Sequence, residues 1–143
     1  MGAFVAEVRP RWSDMDAFGH VNHANTVTLL EEARVDLLFR EAALRGADDL
    51  ARGVVVARLE VDYRAPLFAD GGVLRVEMSV REIRAAYFVL DYLVRGGPSE
   101  TDTVAVTAAT TLAPYDLASG KPRRITDLER DFLAAWHSGG NGA

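Results

Sequence analysis

The stretch Arg11-Trp12-Ser13-Asp14-Met15-Asp16-Ala17-Phe18-Gly19-His20-Val21-Asn22-His23-Ala24-Asn25 puts two carboxylates, two of the chain's three histidines and two side-chain amides into one short segment. Such a set suits attack on a polarised carbonyl. A carboxylate can add to the carbonyl carbon or take a proton from the water that does, while backbone N–H groups hold the oxygen as it becomes negative. Those N–H groups are on offer wherever the segment runs into a helix, because the first amides of a helix have no internal partners. The chain has no cysteine, which excludes a thiolate nucleophile, a thiolate metal site and a disulfide framework.

Each of these residues also has a plainer use. Asp in a loop commonly bonds its own backbone, and Asp14 is assigned to ordering the loop. His20 and His23, three apart beside two aspartates, have the donor types of an imidazole–carboxylate site. No further ligand pair stands elsewhere in the sequence, so no metal is expected. Asn22 and Asn25 are natural helix caps, and a cap would itself fix the amide site; both are also candidate substrate contacts. Glu32 on a largely buried helix needs a partner such as Arg34 or a pocket. Arg123-Arg124 is read as solvated surface, and His137 as inert.

The elements that must position the loop follow from periodicity. From Phe4 to Trp12 the apolar Phe4, Ala6, Val8 and Trp12 alternate with Glu7, Arg9 and Arg11, the period of a strand, and Pro10 assigns that strand to an edge or a bulge. From Asn22 or Asn25 to Arg45 there is neither Pro nor Gly, Asp36/Arg40 and Glu41/Arg45 stand four apart, and Gly46 stops the run, so one long helix is expected. Its apolar residues Val27, Leu29, Leu30, Ala33, Leu37, Leu38, Phe39 and Ala42 leave a single stripe, which predicts a wrapped helix. Alternating runs from Val55 to Tyr63, Leu74 to Val80, Tyr87 to Val94 and Thr103 to Tyr115 read as four more strands. Asp70-Gly71-Gly72, Arg84-Ala85 and Gly96-Gly97-Pro98-Ser99 supply the turns. The reading is a single α+β domain over residues 1–143, a curled antiparallel sheet around one long helix. Residues 125–143 add a short helix, capped by Thr126 with Glu129 three residues on, and a tail from Ser138.

The charge balance, 16 Lys plus Arg against 21 Asp plus Glu for a net −5, with cations scattered, gives no footprint for nucleic acid or an anionic membrane. No apolar run approaches the roughly 20 residues of a spanning helix, and Met1 to Glu7 has no leader-like pattern. A cytoplasmic protein is expected.

The segment Trp12 to Asn25, followed by Glu32-Ala33-Arg34, resembles the signature of the 4-hydroxybenzoyl-CoA thioesterase branch of the hotdog-fold acyl-CoA thioesterases. The shared pattern is aspartate, any residue, aspartate, two residues, glycine, a short segment ending in asparagine, then a helix with Glu-Ala-Arg. The strand order is similar up to about Tyr115. The resemblance implies a hotdog fold and hydrolysis of an acyl-CoA to free acid and coenzyme A without a cofactor. It gives Asp16 the role of nucleophile or general base, His23 that of oxyanion donor through its backbone N–H, and Gly19 that of the connecting turn. Arg84 matches, more loosely, a basic turn that meets the nucleotide end of coenzyme A. Thr26 departs from the tyrosine that relatives often carry. The resemblance also implies a homodimer or homotetramer with the pocket between subunits, which agrees with the need to cover unpaired sheet edges. Two other functions stay open: a non-catalytic module that binds acyl thioesters, and a hotdog hydratase or dehydratase.

Overall fold

A computed structural model of the protein describes residues 2–138. The strands are β1 (Phe4–Val8), β2 (Val54–Tyr63), β3 (Leu74–Ile83), β4 (Phe88–Arg95), β5 (Val104–Asp116) and the two-residue β6 (Lys121–Pro122). They form one antiparallel sheet in the order β1-β3-β4-β5-β2, with β6 folded back on β5. The sheet curls over helix α1 (His23–Val35), whose axis continues through a π-helical stretch Asp36–Glu41 into α2 (Ala42–Leu44). The α+β architecture expected from the periodicity is the one observed.

Two expectations are corrected. The first strand stops at Val8 rather than running to Trp12, and Trp12–Asp14 forms a 3₁₀ turn instead. Pro10 has no N–H for a ladder, and the Asp14 carboxylate takes the Arg11 N–H at 2.7 Å, so the chain leaves the sheet there. β1 is nevertheless an edge strand. The long helix, in turn, is covered on one side only: Thr26, Leu29, Leu30, Ala33, Leu37, Leu38 and Ala42 are buried, while Val35 and Phe39 stay 40% and 37% exposed. The π turn explains how the buried set continues. Its wider winding stretches the repeat enough for Leu37, Leu38 and Ala42 all to face the sheet after Ala33.

Helix α3 (Asp127–Ala135) closes one end of the curl and has the expected capping box, Thr126 Oγ1 accepting from Glu129 N–H and Glu129 Oε1 accepting from Thr126 N–H. Phe132 and Leu133 enter the core, and Trp136 packs edge-on against Phe4 at 5.4 Å with the Arg45 guanidinium 5.2 Å from its centre. A bulge in β3 between Val80 and Glu82 interrupts the ladder with β4. On its other side Val80 donates to the Trp136 carbonyl at 2.9 Å and accepts from the Ser138 N–H at 2.8 Å. The chain from Trp136 to Ser138 thereby covers the edge of β3 beyond β1. The remainder of the expected tail, residues 139–143, lies outside the described residues. No helix among the described residues is long and apolar enough to cross a membrane.

Glu129 is fully buried, and its carboxylate is gripped by both terminal nitrogens of Arg123, at 2.9 and 2.7 Å. Arg123 is thus an internal counter-charge rather than solvated surface. Burial pushes the Glu129 carboxyl up, and the Arg123 guanidinium and the Thr126 N–H outweigh it, so the group titrates below the usual glutamate range. A carboxyl held low in the folded state contributes stability above its unfolded pKa, and loses it as pH falls through the lowered folded value. R123M leaves the Glu129 carboxylate buried without its counter-charge, held only by the Thr126 N–H. At neutral pH it should lower unfolding free energy by about 3 kcal/mol in urea titrations, and the difference from the parent should shrink as pH is brought below the ordinary glutamate range.

Candidate active site

The loop from Arg11 to Asn22 is built around Asp14, which is buried although charged. Its carboxylate receives the Arg11 N–H and pairs with the Arg11 guanidinium at 3.2 Å, and the same guanidinium reaches Glu32 at 3.1 Å. Arg11, and not Arg34, is therefore the partner of Glu32. The Asp14 carbonyl accepts from the Asn22 N–H at 2.9 Å and from the Asn25 side-chain amide at 3.0 Å. Asn25 clamps the loop onto the helix, and Asn22 caps it: the Asn22 side chain accepts from the Ala24 N–H at 2.9 Å and the Asn22 carbonyl from the Thr26 N–H at 3.0 Å.

Between these anchors the chain makes a tight reversal. Asp16 donates its N–H to the His20 carbonyl at 2.8 Å, and Gly19 returns its N–H to the Asp16 carbonyl at 3.1 Å. Gly19 sits at φ +79°, a left-handed backbone where a side chain is strained. Asp16 Oδ1 accepts from the Phe18 N–H at 2.9 Å, which fixes the carboxylate on its own turn. Oδ2 has no hydrogen-bond partner among the described residues.

Asp16, His20, His23 and Thr26 line one cleft of about 410 Å³. At the helix start the Ala24 and Thr26 amides are filled by Asn22, whereas the His23 N–H has no acceptor among the described residues. Asp16, whose carboxylate is anchored on its own turn, and His23, whose N–H is open at the positive end of a helix, thus line the same cleft. His20 and His23 do not converge on each other: the His20 ring lies against Phe68 and the His23 ring against Tyr63. Among the described residues no group of three or more His, Asp or Glu side chains is placed to hold a metal ion.

The far wall comes from parts of the chain that sequence reasoning did not single out. Tyr63, Arg64, Ala65 and Leu67, at and beyond the end of β2, and Val106 on β5 complete the cleft. Tyr63 donates its hydroxyl to the His23 carbonyl at 2.7 Å, and burial pushes its phenol above the usual tyrosine range, so it stays a donor. Val21 donates to the Leu67 carbonyl at 2.7 Å, tying the loop to this wall. The only signal in sequence was the stop at Pro66, which ends the strand beside the loop once the sheet order is known. Gly19, Asn22 and Asn25 support the cleft without lining it. Arg84 is not brought here within one chain: it lies in the β3–β4 turn, where it pairs with Glu82. That turn is the other end of the sheet, roughly 30 Å along the ten residues of β3.

The sequence pattern of the thioesterase-like superfamily matches residues 10–136. No curated protein sequence matches the chain. Among solved structures, a thioesterase from Thermus thermophilus in complex with coenzyme A and zinc is 26% identical, with a TM-score of 0.74 over 95% of this chain and 94% of that one. The DHNA-CoA thioesterase of Staphylococcus aureus is 25% identical, with a TM-score of 0.76 over 95% and 89%. A predicted thioesterase from Bacillus stearothermophilus has a TM-score of 0.78 over 94% and 96% at 21% identity, a likeness of fold alone. Because Asn22 holds the amides of the first helical turn, N22A should destabilise the protein by about 1 kcal/mol, read as a lower urea midpoint at unchanged slope.

Proposed function

The chain belongs to the thioesterase-like superfamily and has its hotdog fold, and from that membership we propose that it hydrolyses an acyl-CoA thioester to a free acid and coenzyme A. The observation that carries the reading is the shared cleft of Asp16 and the open His23 amide. A thioester carbonyl seated there points its oxygen at the His23 N–H, and the Asp16 carboxylate faces its carbon. Either that carboxylate adds to the carbon, to give an anhydride that water then opens, or it takes a proton from the water that adds. In both routes the C–S bond breaks, and the thiolate of coenzyme A leaves and takes up a proton. Asn22, Asn25 and Gly19 hold the loop and helix start in this relation. The two neighbours at 25% and 26% identity, one bound to coenzyme A and one named for a CoA thioester, support the choice of carrier. The cytoplasm is the compartment this reading implies.

The same reading takes the protein as a homodimer. β2 is a sheet edge with Val55, Val56, Leu59 and Tyr63 exposed by 38% to 50%, and an apolar edge with unpaired backbone groups invites pairing with a copy of itself. Antiparallel pairing of two such edges sets the cleft end of one sheet beside the opposite end of the other. That arrangement carries the partner subunit's Arg84 toward the nucleotide side of the cleft. In sedimentation the native protein should run as a dimer or a dimer of dimers, and V55K, which sets a charge on that edge, should shift it toward monomer.

Thiol release from a panel of acyl-CoAs tests the chemistry. The native protein should release coenzyme A and free acid, and D16A should lose about 100-fold or more in kcat while retaining its fold. The buried hydroxyl of Thr26, where relatives often carry tyrosine, favours the second reading, a module that binds thioesters without turnover. Binding with no thiol release by the native protein would establish it, and a hydrated or unsaturated product would show a hydratase.

A further inference from the structure

Helix α1 lies closest to β1 and β3. The inward face of β2 is only partly covered, with Val61 half-buried against the core and Leu59 exposed, while on β5 Ala108 is half-buried between the buried Val106 and Thr110. This apolar strip starts at the cleft, since Tyr63 and Val106 pair in register, followed by Val61 with Ala108 and Leu59 with Thr110. It ends on a polar group. Tyr92 on β4 and Thr110 on β5 are both buried, and their hydroxyls lie 2.8 Å apart. Arg34 reaches in from α1, with Nη1 3.4 Å from the Tyr92 hydroxyl.

The hydrogen count of this group is unbalanced. A guanidinium offers five N–H donors and no acceptor. Among the described residues Arg34 makes no ion pair, and its one hydrogen bond is the long contact to Tyr92. Whichever hydroxyl donates to the other, one hydroxyl hydrogen and most of the guanidinium hydrogens are left over. A half-buried guanidinium with no carboxylate beside it can exchange water for an anionic acceptor, and a carboxylate matches the planar fork of arginine. The spacing from the cleft is the same along both walls. Thr26 to Arg34 is about 12 Å of helix, and Val106 to Thr110 about 13 Å of strand.

We infer that Arg34, with the hydroxyls of Tyr92 and Thr110, receives the far end of the acyl group, so that the preferred substrate is a thioester whose acyl chain ends in a carboxylate. The inference rests on the reading of the cleft as a thioester site. The chain runs from the carbonyl at the helix start along Ala108 and Val61, and its terminal oxygens meet the guanidinium.

The test compares coenzyme A thioesters of equal chain length that end in a carboxylate or a methyl group, sebacoyl against decanoyl and dodecanedioyl against dodecanoyl. For at least one pair, native protein should favour the carboxylate by about tenfold or more in kcat/KM, the scale of one charged hydrogen bond, with most of the difference in KM. R34M should abolish or invert that ratio and R34K should keep part of it, with melting curves confirming that both fold. Should R34M fail to fold, Y92F and T110V should each reduce the ratio, and the native ratio alone is decisive. A native preference for the methyl-terminated chain in both pairs, or an equal loss on both substrates in R34M, overturns the assignment. If neither thioester is cleaved, the hydrolase reading falls instead, and equilibrium binding of the same pairs decides the Arg34 assignment by the same ratio.

Discussion

The Asp14 carbonyl oxygen is the point on which the site turns. By accepting from both the Asn22 N–H and the Asn25 side chain it fixes where α1 begins, and the carboxylate of the same residue fixes where the preceding loop leaves the sheet. Met15 follows this anchor directly along the chain, and Asp16 comes next. The position of the Asp16 carboxylate relative to the first helical amides is thus set by short covalent links and a closed ring of hydrogen bonds. Burying a charged aspartate without such partners would be heavily unfavourable, so the loop has few other arrangements open to it.

Much of this was legible in the residue order. Period-two runs located every strand of the main sheet, the uninterrupted run to Arg45 located the helix, and the Thr126–Glu129 spacing located the last helix start. What periodicity could not supply was partnership between distant residues. Glu32 looks paired with Arg34, two residues away, yet on a helix neighbours two apart do not face each other, and Arg11 reaches it from the loop. Arg123 reads as surface because its buried counter-charge lies a turn into the next helix. Tyr63 stands forty residues from His23, and only the sheet order brings its hydroxyl to that carbonyl.

The π turn shows the same limit in one element. An ideal helix drawn through Val27 to Ala42 scatters its apolar residues, which suggests a helix enclosed all round. In the structure the added winding at Asp36–Glu41 gathers Leu37, Leu38 and Ala42 onto the sheet side and leaves Val35 and Phe39 in the open. Part of the apparent scatter belonged to a change of pitch and part to a face that one chain does not cover.

The phenol of Tyr63 belongs at once to the outermost strand and, through the His23 carbonyl, to the first peptide of the helix. That single bond is a mechanical linkage. Anything that lies down along this strand, whether another copy of the chain or some other protein, takes hold of a lever whose short arm moves the His23–Ala24 peptide, the next one along from the peptide that carries the open His23 N–H.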